Sequence, residues 1–372
     1  MKTLKSLVSL LSLALIISMV AMSCEENPEF VQQDNFLPES FGVDIPSSIS
    51  NPNLVSGGRI SGRTEEELKG DDIYRHLGLF IAIGEGAADI VQHIILGIKF
   101  YNIESVQTLT FTSDDDNRVK NLIVTEGDDF EGITWEYSLT ITDADSEGND
   151  DGGKAMQVFW NNNPIEGIAI IKPYNLNRSE NAQQEEAVYR VDYTQDSDLG
   201  YDEHMEVSIS GLSLNLADRF SMRTLKMFAG RKDDVVDVYG NSSHPDAWIF
   251  NNTDPGFNWA FVASGSHNEQ IGTAEVGLPP SLLDSNERGV LLDDYSIKNI
   301  FENEIRELFP NITQNLLDAY LVNTNPPGYF DDGGFLSAGV SPGTGWDSYA
   351  ERLEDLTPYN PKTTTELVIE FK

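Results

Sequence analysis

The 372-residue chain has a single cysteine, Cys24, so no disulfide can form within it and stability must come from packing. Basic residues are scarce, with 24 Lys and Arg against 61 Asp and Glu, which leaves a formal net charge of −37. That imbalance argues against a nucleic-acid binder or a peripheral protein of anionic membranes, because Coulomb repulsion opposes both approaches. Histidine is rare as well. His76, His204, His244 and His267 show no metal-ligand spacing, and only His93 falls at helical steps from carboxylates. The chain contains no HExxH helix, nucleophile elbow, phosphate loop or dinucleotide fingerprint, and Gly84-Glu85-Gly86 alone is too little to count. No catalytic residue and no cofactor is therefore expected. Long apolar runs are missing beyond the N-terminus. The most apolar remaining segment, 73–100, carries Arg75, Glu85, Asp89 and His93, which the centre of a bilayer tolerates poorly, so no transmembrane helix is expected there.

What the chain does have begins at its start. Lys2 and Lys5 precede an apolar stretch, residues 7–20, broken only by Ser9, Ser12 and Ser18, and Ala21 and Ser23 then flank Met22. This is secretory signal architecture, too short for a comfortable span. An unpaired thiol in an exported chain would be open to oxidation, so Cys24 needs another use. The run Ala21-Met22-Ser23-Cys24 resembles the lipobox of a bacterial lipoprotein precursor, with Ala21 where leucine is usual. The resemblance implies removal of residues 1–23 and a diacylglyceryl group on Cys24, which would attach the protein to a membrane. Each buried methylene contributes roughly 0.8 kcal/mol, so the two or three chains of a lipoprotein hold where one would not. The following Glu25-Glu26 resembles the acidic export signal of Bacteroidota lipoproteins, which implies the outer face of the outer membrane; the periplasmic face is the alternative. Losing Lys2 and Lys5 with the signal would take the net charge from −37 to −39.

Patterning divides the rest. Residues 24–66 are rich in Pro, Ser, Asn and Gly and read as the lipidated N-terminus and a tether, with a short strand around 41–45. A domain over 67–280 begins with a helix. Ile73, Leu77, Phe80, Gly84, Ala87, Val91, Ile94 and Ile98 recur at steps of three and four, and Ile81, Ile83, Ile90 and Ile95 widen the stripe. A helix so apolar must be covered on most of its circumference, and its glycines allow a close approach.

Strand signals follow. In 133–142, Ile133, Trp135, Tyr137, Leu139 and Ile141 alternate with polar residues, which predicts one buried and one wet face. Weaker alternation marks 106–112, 119–126, 155–160, 167–171, 187–193, 205–209, 220–228, 235–239, 247–250, 257–263 and 273–276. Short connections rich in Asp, Asn and Gly suit hairpins. Residues 281–372 read as a helical subregion. It holds one helix through Ile297 and Leu308, a second through Ile312 and Leu321 capped by Asn311, a loop over 325–345, a short helix at 346–356 and a final strand at 365–371 that returns to the sheet. The expected fold is mainly β with α (α+β): a large antiparallel meander forming a curved sheet, barrel or sandwich, with one long apolar helix packed on it.

Three groups of residues are candidates for chemistry. Asp143, Asp145 and Glu147, followed by Gly148, match the first half of a calcium loop, but Lys154 stands where the bidentate glutamate belongs. Asp150 and Asp151 would have to complete a looser site, and an acidic hairpin tip kept soluble by charge is the plainer alternative. Glu85, Asp89 and His93 share a helix face at four-residue steps, as three metal ligands or as an ordinary polar stripe. Trp248 and Trp346 sit in loop contexts, where an aromatic plane suits stacking on a sugar ring; the other tryptophans alternate within strands and suit the core.

Together these features lead to the expectation of a lipid-anchored protein of the outer membrane, exposed at the cell surface, that binds a glycan or a protein partner without catalysis. The competing reading is a carrier with an apolar-ligand cavity between helix and sheet. A hydrolase with unlocated residues is a third.

Overall fold

A computed structural model describes residues 38, 40–51, 69–100, 107–180, 184–214, 220–250 and 256–372. Cys24, the rest of the lipobox and Glu25-Glu26 lie outside the described residues. Among the described residues there are thirteen strands, the first eleven from the period-two segments: β1 (Gln107–Thr112), β2 (Val119–Phe130), β3 (Ile133–Asp143), β4 (Lys154–Asn162), β5 (Ile165–Ile171), β6 (Val188–Gln195), β7 (Glu203–Ser210), β8 (Thr224–Lys232), β9 (Val235–His244), β10 (Phe257–Ser266), β11 (Ile271–Gly277), β12 (Gly328–Asp331) and β13 (Gly334–Ala338). Each pairs with the next in chain order, so the protein is mainly β and its sheet is one antiparallel meander. The sheet does not close. Its edges, β1 and β13, are not paired with each other, which sets aside the closed barrel.

The apolar stripe of 73–98 forms the long helix α1 (Gly70–Phe100). Length and composition alone would let this helix cross a membrane. Here the same composition packs it against the sheet, where it touches β6, β7, β8, β11 and β13. Ile73, Leu77, Phe80, Ile81, Ala87, Ala88, Val91 and Ile95 are buried in one core with Trp160, Val191, Met205, Val207, Met227, Trp259 and Phe261. Gly84 allows the close approach expected of the helix glycines, since a Cβ there would lie 2.5 Å from the Met227 Cε, whereas Gly86 has nothing within 4 Å.

Both faces of the central strands are covered. On β10, Phe257, Trp259, Phe261 and Ala263 face α1, while Ala260 and Val262 join Leu291, Leu292, Leu353 and Leu356 on the opposite, outer face. All ten residues of β10 are buried, so the wet outer face expected from alternation does not hold at the middle of the sheet. The outer cover comes from the chain after Pro280, through the turn that holds Leu291 and Leu292 and the segment that holds Leu353 and Leu356; the same part of the chain forms α3 (Ile297–Leu308), α4 (Gln314–Tyr320), α5 (Asp347–Arg352) and α6 (Pro361–Thr365), and the one-turn α2 (Pro173–Leu176) lies between β5 and β6. Helices α3 and α4 turn instead to the α1-side core, α3 through Ile297, Phe301 and Ile305 and α4 through Leu317.

Several expectations need correction. The segment around 41–45 is not a strand, and it belongs to the core, not to a tether: Phe41, Val43, Ile45 and Ile49 are each at most 3% exposed. Residues 247–250 form no strand. The expected loop at 325–345 contains the hairpin β12–β13, whose strands are too short to show a period. Helix α4 starts after Thr313, not Asn311. Residues 365–371 form no ladder with the sheet; after α6 the tail runs extended over the outer face, where Ile369 and Phe371 pack on Trp135, Phe159, Ile168 and Ile170. Trp135 also departs from the row of Tyr137, Leu139 and Ile141. Gly127, at φ 68°, and Glu136 opposite it are left out of the ladder between the pairs Glu126↔Tyr137 and Asp128↔Trp135 with no change of register, and beyond them Trp135 belongs to the outer cluster.

Candidate functional site

The acidic hairpin after β3 is cross-linked by cations. Asp143 is fully buried and accepts from Arg118 Nε at 2.6 Å, Arg118 Nη2 at 2.9 Å, Lys120 Nζ at 3.2 Å and Arg178 Nε at 3.3 Å. Burial alone would raise this carboxyl, but the hydrogen bonds from Arg118 and the charge of Lys120 overcome it and hold it down to about 2. Asp145 is exposed, 3.9 Å from Arg118, and Glu147 accepts from Asn121 at 3.1 Å. Asp151 is held by Lys172 at 2.6 Å and by Asn175 at 3.1 Å. Asp143 and Asp145 thus both face Arg118 while Glu147 turns to Asn121, and no cluster of three metal-ligating side chains occurs among the described residues. This is a structural knot that ties β2, β3 and the turn after β5 together.

Glu85, Asp89 and His93 share a helix face but not a ligand site. Glu85 accepts from the Ile45 N–H at 2.8 Å and from the Ser50 hydroxyl, so it fastens the 40–51 segment to α1. The ring Nδ1 of His93 lies 2.6 Å from the Asp89 carbonyl oxygen, a bond within the helix. Burial pushes the Glu85 carboxyl up to about 7, partly offset by the Ser50 and Ile45 hydrogen bonds, and burial also raises Asp89. Trp346 is half-buried and donates its indole N–H to the Phe330 carbonyl at 3.0 Å, and Trp248 is half-buried after β9. His244 is buried among Phe80, Phe220 and Trp259, with Ser242 Oγ 2.8 Å from its Nε2 and the Phe220 carbonyl 2.8 Å from its Nδ1.

The site that geometry does assemble was not singled out from the sequence. On the outer face, the register places Arg190 opposite Ser208, Ser208 opposite Lys226 and Lys226 opposite Asn241, while Asp192 lies opposite Glu206. A row of donors on β6–β8 therefore runs beside a row of carboxylates. Arg190 forks onto Glu131 at 2.6 and 2.9 Å and onto Asp192 at 2.8 Å. Lys226 reaches Glu206 at 2.9 Å and sits 4.5 Å over the Tyr359 ring, whose hydroxyl donates to Glu206. Burial disfavours charge on Arg190, yet its bonds to Asp192 and Glu131 raise its affinity for the proton, and burial raises Asp192 and Tyr359.

The tail supplies one wall. Leu367, Val368, Ile369, Glu370 and Phe371 border a groove of about 690 Å³ whose floor holds Arg190, Ser208, Lys226 and Glu206 and whose end holds Phe130 and Glu131. Its lining contains no histidine or cysteine. Paired donors and acceptors beside apolar edges make a surface for hydrogen bonding and stacking. The sequence signal was present but plain: Arg190 and Asp192, Glu206 and Ser208 alternate with buried Tyr189, Val191, Tyr193, Met205, Val207 and Ile209. Alternation marks these residues as facing away from the core; it does not say that neighbouring strands align them.

Comparison with family models, with curated proteins and with solved structures finds no match.

Proposed function

We propose that this chain is a lipid-anchored protein of the outer membrane, held through Cys24 and exposed at the cell surface, that binds a glycan or protein partner at the outer-face groove and catalyses no reaction. The observation that carries this reading is the aligned row of Arg190, Ser208 and Lys226 beside Asp192 and Glu206, open along the tail. Such a surface offers donors and acceptors at strand spacing, which suits hydroxyls or main-chain amides, and Phe130 gives an apolar edge for a ring face.

The carrier reading has less support. A carrier needs room between helix and sheet, whereas Gly84 lies against Met227 and the α1 side chains Leu77, Phe80, Ile81 and Val91 are at most 2% exposed.

Two measurements test the proposal. Cys24→Ala should move the protein from the membrane to the soluble fraction, and retention in the membrane after signal cleavage would overturn the anchor. Polysaccharide and surface-protein arrays probed with the native chain and with Arg190→Ala/Lys226→Ala test the groove: binding lost in the variant at unchanged melting temperature supports it, and equal binding removes it.

A further inference from the structure

The free edge of β1 lacks the devices that ordinarily blunt such an edge. The strand reads Gln107-Thr108-Leu109-Thr110-Phe111-Thr112, with no charge and no proline, and pairs with β2 without a bulge from Gln107↔Val124 to Thr112↔Val119. All six residues are exposed, and Leu109 and Phe111 remain 39% and 38% exposed on the α1 side of the sheet, opposite Leu122 and Lys120. Among the described residues no strand pairs with the outer edge of β1.

The direction of the backbone groups follows from the hairpin. The Ser113 N–H donates to the Arg118 carbonyl at 2.8 Å. Antiparallel bonding alternates, so Phe111, Leu109 and Gln107 also turn their groups toward β2, while Thr108, Thr110 and Thr112 turn theirs outward.

We propose that β1 is the interface for a second copy of this chain, joined by two-fold antiparallel pairing with Thr110 opposite Thr110 of the other copy. In this register every facing pair matches in character. Thr108 meets Thr112, Leu109 meets Phe111, and Gln107 meets Ser113, each twice about the axis. The outward-turned residues of one copy face those of the other, which gives two bonds at each of the three threonine pairs, about six in all. A slip of two residues in one direction sets Gln107 against Phe111, and in the other sets Leu109 against Ser113. A slip of one sets each leucine and phenylalanine beside a threonine and turns the second copy's α1 side to the opposite face. The uncharged strand also fits a second copy, since a charge at 110 would face its own image. The rest of each copy is strongly acidic, so the pairing should tighten as salt screens the net charge of −37. A single strand pair is small beside an interface of about 1,000 Å² or more, so the dimer is weak in dilute solution and depends on local concentration.

Oxidative cross-linking of the full chain in isolated membranes tests the register. Facing residues of an outward-bonded pair lie about 5.5 Å apart at Cα, within disulfide reach. Thr110→Cys should therefore give a covalent dimer at least about ten-fold faster than Thr108→Cys or the native chain, and the double variant T108C/T112C should cross-link as Thr110→Cys does. Thr110→Pro removes an outward backbone donor and no backbone bond to β2, losing there only the exposed bond from the Thr110 hydroxyl to Asn121 at 2.8 Å, so it should abolish dimers seen by sedimentation in detergent while leaving the melting temperature within about 2 °C of that of Thr110→Val, which lacks the same hydroxyl. Equal cross-linking of Thr108→Cys and Thr110→Cys, no dimer from either, or capture of Thr110→Cys by a different protein alone would each overturn the proposal.

Discussion

The Ile45 N–H donates to the Glu85 carboxylate at 2.8 Å, across forty positions of sequence. This bond, with that from Ser50, places a carboxyl between the 40–51 segment and α1, where burial raises it from 4.5 to about 7. Around it stand Asp44 on the segment and Asp89 on the helix, and both add to the rise. The folded chain therefore holds the Glu85 proton through a window in which the unfolded chain has lost it. The stability tied to this group is fully present below about 4.5 and is lost as pH rises through about 7, on the order of 3 kcal/mol. Glu85→Gln keeps an acceptor for Ile45 and removes the titration. It should match the native chain in urea melts at pH 4 and exceed it by about 2 kcal/mol at pH 8; a variant less stable at pH 8 would contradict the assignment.

Asp143 has the opposite dependence. Its pKa is lowered from 3.8 to about 2, so its contribution is present above about 3.8 and is lost as pH falls through about 2. Removing the carboxylate leaves Lys120, itself buried, with Asp116 at 3.0 Å and the Asn175 carbonyl at 2.8 Å as remaining partners. Asp143→Ala should cost about 3 kcal/mol at pH 7, measured by denaturant melts. Because the same carboxylate is engaged by three cations, calcium at millimolar concentration followed by chelator should leave the melting temperature of the native chain unchanged. A rise of several degrees with calcium would reinstate Asp143, Asp145 and Glu147 as ligands.

His244 should be silent over the range where histidines ordinarily titrate. Full burial pushes its ring down to about 3, against 6.5 in an open chain. The neutral ring thus contributes stability that is complete above about 6.5 and is lost as pH falls toward 3. Proton NMR of the ring should show no titration of His244 between pH 8 and pH 4 in the folded protein. A midpoint near 6 would place the ring in water, against its packing on Phe80 and Trp259.

Helix α1 and most of the meander were legible because their signals are local. Stripe and alternation depend only on near neighbours in sequence, and eleven of the strands fall on or within a few residues of the expected segments. The strap around Phe41 and Ile49 was misread for the same reason: proline and serine nearby resemble a tether, while its burial depends on Gly167, Tyr193 and Gly272 far along the chain. The tail was misread differently. Its alternation is real, since Ile369 and Phe371 turn inward, but the strands it crosses already have both backbone edges paired, so it covers the sheet face without joining the ladder. The groove was illegible because register between strands, which aligns Arg190 with Ser208 and Lys226, is set by tertiary pairing.

The tail gives the last prediction. Ile369 and Phe371 cover Trp135, Phe159, Ile168 and Ile170, and the last residue is fastened by the Lys372 N–H to Gln157 Oε1 at 2.7 Å and by its ammonium on Asp128. Each side chain is only half-buried, so truncating both should cost about 2 kcal/mol and not the larger loss of a fully buried pair. Trp135, now 4% exposed, would meet water, so Ile369→Ser/Phe371→Ser should shift tryptophan emission to longer wavelength and raise its quenching by acrylamide while far-UV circular dichroism stays constant. Replacing Trp135 by Phe in the same background should remove that added quenching. If the quenching persists, the exposed indole is not Trp135, and the tail does not cover the outer cluster as described.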